Sequence, residues 1–323
     1  MMKTKKSSVP VAVTSRSFSQ HEVLRAELLE NYENVKFNDE GKTLSGKALV
    51  EFLRGYPKAI TALETIDRSI IEQLPGLKVI SKYGVGIDML DIRAMEDHGV
   101  SLGWQGGVNR RSVAELAIAF MITLIHRASE SNQMVLAGTW KQIRGRQISG
   151  RTIGIIGCGH IGKEIAMLLQ PFGCTLLSYD IRTFPGFYEK YNVKAVSLED
   201  LLKSADIVTL HVPLNDTTKN MLDSSHLALM KKGAILINTA RGGLVDENKV
   251  KQMLVGGELS GAAFDVFAQE PPQDTELLNH QCFIATGHIG GSTEDAVLAM
   301  GRSAIKGLDT AGTPSKVIEG SLK

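Results

Sequence analysis

The stretch Ile153-Gly154-Ile155-Ile156-Gly157-Cys158-Gly159-His160-Ile161-Gly162, continuing as KEIAMLL over residues 163–169, decides the fold. An aliphatic run ends at Gly157 and a helical run begins near Gly162, so the glycines stand at a strand-to-helix turn with the spacing G-x-G-x-x-G. Each has its own steric task. Gly157 permits the tight turn, Gly159 lets backbone approach a pyrophosphate, and Gly162 lets helix and strand pack closely, while the helix N-terminus attracts phosphate charge. The next aliphatic run, residues 175–179, ends at Asp180, eighteen residues beyond Gly162. That is near the roughly twenty expected for the carboxylate that accepts the adenosine ribose hydroxyls. NAD is therefore expected over NADP, because Asp180 repels a 2′-phosphate, with Arg182 as a nearby softening cation. Cys158 and His160 lie in the turn with no further ligands at coordinating spacing, so no metal site is expected.

Outward from this turn, apolar runs at 207–210, 234–238, 261–266 and 283–286 alternate with helical or turn segments. The same rhythm precedes it: strands at 9–13, 59–63 and 77–81, the last after the Pro75-Gly76 turn, with a helix over 22–31. Such alternation predicts an α/β fold with parallel sheets. At 323 residues the chain exceeds the usual span of one core. Two doubly wound parallel-sheet domains are expected: a flavodoxin-like substrate domain, 1–103 plus 294–323, and a Rossmann NAD-binding domain, 104–293. The crossover is placed at Trp104-Gln105-Gly106-Gly107, before a long helix over 111–127, and the helical tail from 294 is expected to return to the first domain.

Composition narrows the function classes. Thirty-six Lys and Arg against 35 Asp and Glu leave a net charge of +1, which provides no field for nucleic acid or an anionic membrane. The longest apolar run, 116–125, is about half of what a membrane-spanning helix requires and is expected as a buried helix. Three widely spaced cysteines, Cys158, Cys174 and Cys282, suggest neither a disulfide framework nor zinc, and a reducing cytoplasm is the default. Residues 1–8 read as a frayed basic leader rather than a signal peptide.

Three segments at or just past strand ends carry charged groups: NTARGGLVDE over 238–247, FDVFAQEPP over 264–272 and TGHIGGST over 286–293. Such ends line the ligand crevice of doubly wound folds. Taken singly, Arg241 reads as a surface or capping cation, Glu270 as a loop acid and His288 as a hydrogen-bonded loop residue. Together with the glycine turn, these segments strongly resemble the D-isomer-specific 2-hydroxyacid dehydrogenases, over nearly the whole chain. By that resemblance Arg241 grips the substrate carboxylate and carbonyl, Glu270 is the acid paired with the histidine, and His288 donates or accepts the proton. The chemistry needs all three. A guanidinium holds a carboxylate in a bidentate plane and stabilises a developing oxyanion. An imidazole carries a proton in either direction near neutral pH, and a carboxylate orients it. The formate dehydrogenases of the superfamily have glutamine where Glu270 stands. Family members usually have proline before the histidine, whereas this chain has Gly287, which implies more backbone freedom there.

The resemblance further implies cofactor contacts from His160 and Ile161, from Val212 and Pro213, from Thr239, Ala240 and Arg241, and from Asp265 on the nicotinamide amide. His211 reads as structural. On the substrate side, Lys82-Tyr83-Gly84-Val85-Gly86 resembles the family's substrate loop, whose backbone N–H groups meet a carboxylate. Asn109, Arg110 or Arg111 face the cleft, unless Ser112 simply caps a helix with Glu115 in its first turn. Lys82 stands where phosphoglycerate-type members carry arginine, but residues 59–67 lack the arginine expected for phosphoglycerate. The implied activity is an NAD-dependent D-2-hydroxyacid dehydrogenase of the short phosphoglycerate dehydrogenase-like form, acting on 3-phosphoglycerate, hydroxypyruvate, glyoxylate or another 2-keto acid. A corepressor-like NAD(H) sensor is the alternative from a different class. The apolar stripe 117–125 resembles the helix through which family members form homodimers, with burial inside one chain as the competing reading.

Overall fold

The computed structural model describes residues 6–321, so the part of the leader before Lys6 lies outside the described residues. Ser7 is held rather than frayed: it forms a parallel bridge with Tyr32, its N donating to Asn31 O at 2.8 Å and its O accepting from Glu33 N at 3.0 Å. The chain divides into two compact units, one comprising the chain to Asn109 and from Glu294 onward, the other Arg110–Thr293.

The first unit is built on five parallel strands: β1 Val11–Val13, β2 Val35–Phe37, β3 Lys58–Thr61, β4 Val79–Lys82 and β5 Ser101–Gly103, in the order β2-β1-β3-β4-β5. That is the flavodoxin-like order. One face is covered by Leu49, Val50, Leu53, Ile70, Ile71 and Met95, the other by Phe18, Leu24, Leu28 and Tyr32. β2 and β5 went unread because each has three residues, one an edge strand with no fully buried position and the other ending in glycine. The helix Glu294–Thr310 lies on this sheet, where Ser81 Oγ donates to Ala304 O at 2.6 Å. A Cβ on Gly103 would strike the backbone of Gly307, so both positions need glycine for helix and strand to meet.

The second unit has seven parallel strands: β6 Thr152–Ile156, β7 Thr175–Tyr179, β8 Val193–Ala195, β9 Ile207–Leu210, β10 Ala234–Asn238, β11 Leu259–Phe264 and β12 Phe283–Ala285. Their order is β12-β11-β10-β9-β6-β7-β8, so the chain winds outward from β6 through β7 and β8 and then restarts on the other side at β9. The β6/β9 boundary is the switch point, and ligands of such sheets sit beyond the strand ends there. The helix Arg110–Ile125 buries Ala114, Ala117, Phe120, Met121, Leu124 and Ile125 against Ile153, Ile155, Ile235, Ile237 and Ala263. Its apolar stripe is thus largely covered by its own sheet. Ser112 does not cap the helix; it lies within it, and its hydroxyl donates to Gly290 O at 2.5 Å. Among the described residues, no single helix is long and apolar enough to cross a membrane.

Candidate active site

The glycine turn joins β6 to the helix His160–Leu168, whose N-cap, Gly159, makes no side-chain capping bond. Gly157 has φ +94°, and a Cβ there would stand 2.6 Å from His211 O and 2.8 Å from Val212 Cγ1. A Cβ on Gly162 would strike Gly157 O, while nothing lies within 4 Å of one on Gly159. Two of the glycines are therefore required by close approach within the chain, and the third leaves a cradle. Asp180, at the end of β7, accepts from Cys158 N at 2.6 Å through one oxygen and from Arg182 N at 2.8 Å through the other, tying the acidic group to the turn. His211 Nδ1 and Thr239 Oγ1, just past β9 and β10, are buried with no hydrogen-bond partner among the described residues. An open cradle at a helix N-terminus, an acid beside it and unsatisfied polar atoms at the switch point fit a dinucleotide. Cys158 is fully buried, and burial pushes its thiol pKa up, which makes it a packing residue.

His211 follows β9, with Nε2 2.8 Å from Thr209 Oγ1. Burial brings its pKa down to about 3 from 6.5. The unfolded chain then takes up a proton before the folded one does, so the stability held by the neutral ring is present above about pH 6.5 and is lost as pH falls toward 3. Between pH 7.5 and pH 5 this group is expected to cost up to about 2 kcal/mol of stability. Urea midpoints at the two pH values check it: His211→Asn should lose measurably less on acidification than the native chain, and equal losses would assign the acid sensitivity elsewhere.

Arg241 sits in the loop after β10. Asn238 organises that loop, with Nδ2 donating to Arg241 O at 2.8 Å and Oδ1 accepting from Ala240 N at 3.1 Å. The Arg241 guanidinium donates to Ala240 O at 2.7 Å. A Cβ on Gly242 would overlap the Phe267 carbonyl, so this loop is pressed directly onto the loop that carries Glu270. That second loop is braced by Glu247, whose carboxylate accepts from Ala268 N at 2.8 Å and whose pKa burial pushes up. Glu270 accepts from Phe267 N at 3.1 Å, and its other oxygen lies 3.1 Å from His288 Nδ1. His288 is half exposed and has φ +57°, a left-handed backbone, whereas Gly287 has no positive φ. The unusual conformation thus falls on the histidine rather than on the glycine before it.

Asp265 is buried beneath these residues, 2 % exposed. One oxygen accepts from Thr286 Oγ1 at 2.5 Å and Ile289 N at 2.8 Å, the other from Gly290 N at 2.8 Å, and its carbonyl accepts from His288 N at 2.9 Å. Gly242, Glu247 and Thr286 received no role from the sequence, although Thr286 stands two residues before His288 and Gly242 beside Arg241. Spacing alone carries no sign of such close approaches.

In the first unit, Lys82 is 3 % exposed and donates to Tyr83 O at 3.2 Å. Tyr83 N donates to Thr61 O at 2.8 Å, its ring packs edge-on against Phe18, and Gly84 takes φ +121°. Trp104 Nε1 donates to Val85 O at 3.0 Å, which leaves Gly86 just beyond a fastened turn. Asn109 Oδ1 is buried with no hydrogen-bond partner among the described residues. In the second unit, Arg110 and Arg111 both pair with the buried Glu164, at 3.0 and 2.8 Å.

Residues 118–290 match the family model described as "D-isomer specific 2-hydroxyacid dehydrogenase, NAD binding domain". The chain is 37% identical to D-3-phosphoglycerate dehydrogenase of Methanocaldococcus jannaschii over 239 residues, 73% of this chain and 46% of that protein. It therefore spans about half the length of that relative. It is 32% identical to glyoxylate reductase of Thermococcus litoralis over 291 residues, 87% of this chain and 88% of that protein. A crystal structure described as a putative D-isomer specific 2-hydroxyacid dehydrogenase, NAD-binding, from Polaromonas sp. JS6 66 superposes with a TM-score of 0.85 at 27% identity, covering 94% of this chain and 96% of that one.

Proposed function

The chain belongs to the D-isomer-specific 2-hydroxyacid dehydrogenases, and on that premise we propose that it interconverts a small D-2-hydroxy acid and its 2-keto acid with NAD. When bound, the nicotinamide supplies or takes up the hydride at C2. The remaining work falls to side chains of this protein. The observation that carries the reading is the Glu270–His288 pair at 3.1 Å. With Nδ1–H given to Glu270, the other ring nitrogen, Nε2, is the one left to give a proton to the keto oxygen during reduction and to remove it during oxidation. Arg241 holds the substrate carboxylate as a planar fork and stabilises charge developing on the neighbouring oxygen. Gly157, Gly159, His160, Ile161 and Gly162 hold the pyrophosphate, Asp180 takes the ribose hydroxyls and favours NAD over NADP, and Val212, Pro213, Thr239 and Ala240 line the same seat.

The substrate is best read as unphosphorylated, of the glyoxylate or hydroxypyruvate type. The buried ammonium of Lys82 already donates within its own loop, and so is poorly disposed to meet a distal phosphate. A homodimer is proposed through the segment after the stripe 117–125. The helix Ala128–Leu136 and the residues beyond it expose Leu136 at 79 % and Trp140 at 90 %, a surface that a second copy of this chain would cover. The free thiols fit a reducing cytoplasm.

A panel of glyoxylate, hydroxypyruvate, pyruvate and 3-phosphohydroxypyruvate, each with NADH and NADPH and followed by nicotinamide absorbance, tests this. NADH oxidation by an unphosphorylated acid, faster than with NADPH, is the expected result, and light scattering of the same sample should give twice the chain mass. A preference for 3-phosphohydroxypyruvate would reverse the substrate assignment. No oxidation of either nucleotide by any of the acids would favour the NAD(H)-sensing module.

A further inference from the structure

We infer that Asp265 is a positioning residue that holds the backbone of His288 in its left-handed conformation, and that Thr286 is the side-chain fastener through which it does so. The inference rests on the reading of His288 as the proton carrier. A left-handed backbone is costly for a non-glycine residue, so it persists only where neighbouring contacts over-determine it. Here those contacts converge on one residue. Asp265 accepts His288 N through its carbonyl and Thr286 Oγ1, Ile289 N and Gly290 N through its carboxylate. The donors flank His288 on both sides in sequence, so the grip spans residues 286–290.

The surroundings are shaped for this grip. Asp265 N donates to Asn238 O at 2.9 Å, which seats it against the end of β10 and thereby on the core of the sheet. A Cβ on Gly290 would come within 3.0 Å of the Asp265 carboxylate, so glycine there lets the amide approach. Ser112 closes the same turn from the helix Arg110–Ile125 by donating to Gly290 O at 2.5 Å. A carboxylate offers about four acceptor positions, and three are already taken inside this loop. The main duty of Asp265 is consequently to the histidine loop, and it acts on the reaction through His288.

The test uses the full chain with Asp265→Asn, Thr286→Val and Thr286→Ser. An asparagine turns an N–H₂ group toward at least one donor, and valine removes one fastener while keeping shape. Misplacement of a catalytic group by about 1 Å costs roughly 100-fold in rate, so kcat should fall about 100-fold in Asp265→Asn and about tenfold in Thr286→Val, with KM and Kd for NADH within about threefold in Thr286→Val. Thr286→Ser, which restores the hydroxyl, should recover kcat to within about threefold. Hydrogen exchange of the Ile289 and Gly290 amides in the free protein should speed up in Asp265→Asn and Thr286→Val, while amides of β10 stay protected.

Unchanged kcat in Asp265→Asn, or a loss confined to NADH affinity with Ile289 and Gly290 still protected, would overturn the inference. If Asp265→Asn does not fold, the Thr286 pair decides: equal activity of the valine and serine variants overturns it. Should the native enzyme turn over no 2-keto acid, the functional reading fails, while the amide protection still reports on the clamp.

Discussion

Replacement of His288 by glutamine is expected to lower kcat with the best 2-keto acid by about 1,000-fold, within the range attributed to loss of a general acid and base. Glutamine keeps a hydrogen-bonding end of similar reach but carries no transferable proton. The partner that remains, Glu270, lies 3.1 Å from the ring nitrogen that faces away from the proposed proton path and does not substitute for it. NADH affinity should change by no more than about threefold, since the variant leaves the glycine turn and Asp180 untouched. Steady-state rates and NADH fluorescence titration separate the two. A kcat within about tenfold of the native value would remove His288 from the proton-transfer step.

Arg241→Lys is expected to lower kcat/KM for the keto acid by about 100-fold, and Arg241→Ala by about 1,000-fold. Lysine preserves the charge but presents a single point of contact, so it does not hold carboxylate and carbonyl in one plane. Most of the loss should show as a raised KM for the acid together with a lowered kcat, because the guanidinium is proposed to meet both the ground-state carboxylate and the developing oxyanion. The loop itself should survive in either variant. Its fold rests mainly on Asn238 bonding the Ala240 and Arg241 backbone and on the absence of a side chain at Gly242, with the guanidinium adding a bond to Ala240 O. Equal catalytic efficiency in Arg241→Lys would show that charge alone is sufficient at this position.

Much of the fold was legible because its signals are local. β6, β7, β9 and β10 are aliphatic runs bounded by turns, and their ends fall where the sequence places them. β2, β5 and β8 escaped because a three-residue strand interrupted by lysine, or bounded by serine and glycine, leaves no apolar run, whereas the equally short β1 and β12 are apolar throughout. Strand order is a different matter: nothing in the residues of β9 states that it lies beside β6 rather than beside β8. The candidate site divides the same way. Arg241, Glu270 and His288 were nameable through the family resemblance, but Thr286 and Gly242 were not. Their importance lies in a hydroxyl 2.5 Å from a buried carboxylate and in two backbones too close for a methyl group. Gly287 misdirected the reading: a glycine suggests the flexible joint, yet the left-handed residue is His288.

By itself the sequence determined the class of fold, the strand-to-helix glycine turn proposed to seat the nucleotide and, through resemblance, the family and the residues proposed for proton transfer and carboxylate binding. Those are properties of neighbours along the chain, where spacing and residue type are sufficient. The tertiary structure alone decided that Glu270 meets His288 across 18 positions, that Asp265 grips both flanks of the histidine, and that Lys82 turns inward. Such contacts arise when packed strands bring loops distant in sequence to one sheet edge, and no local pattern encodes the distance between them.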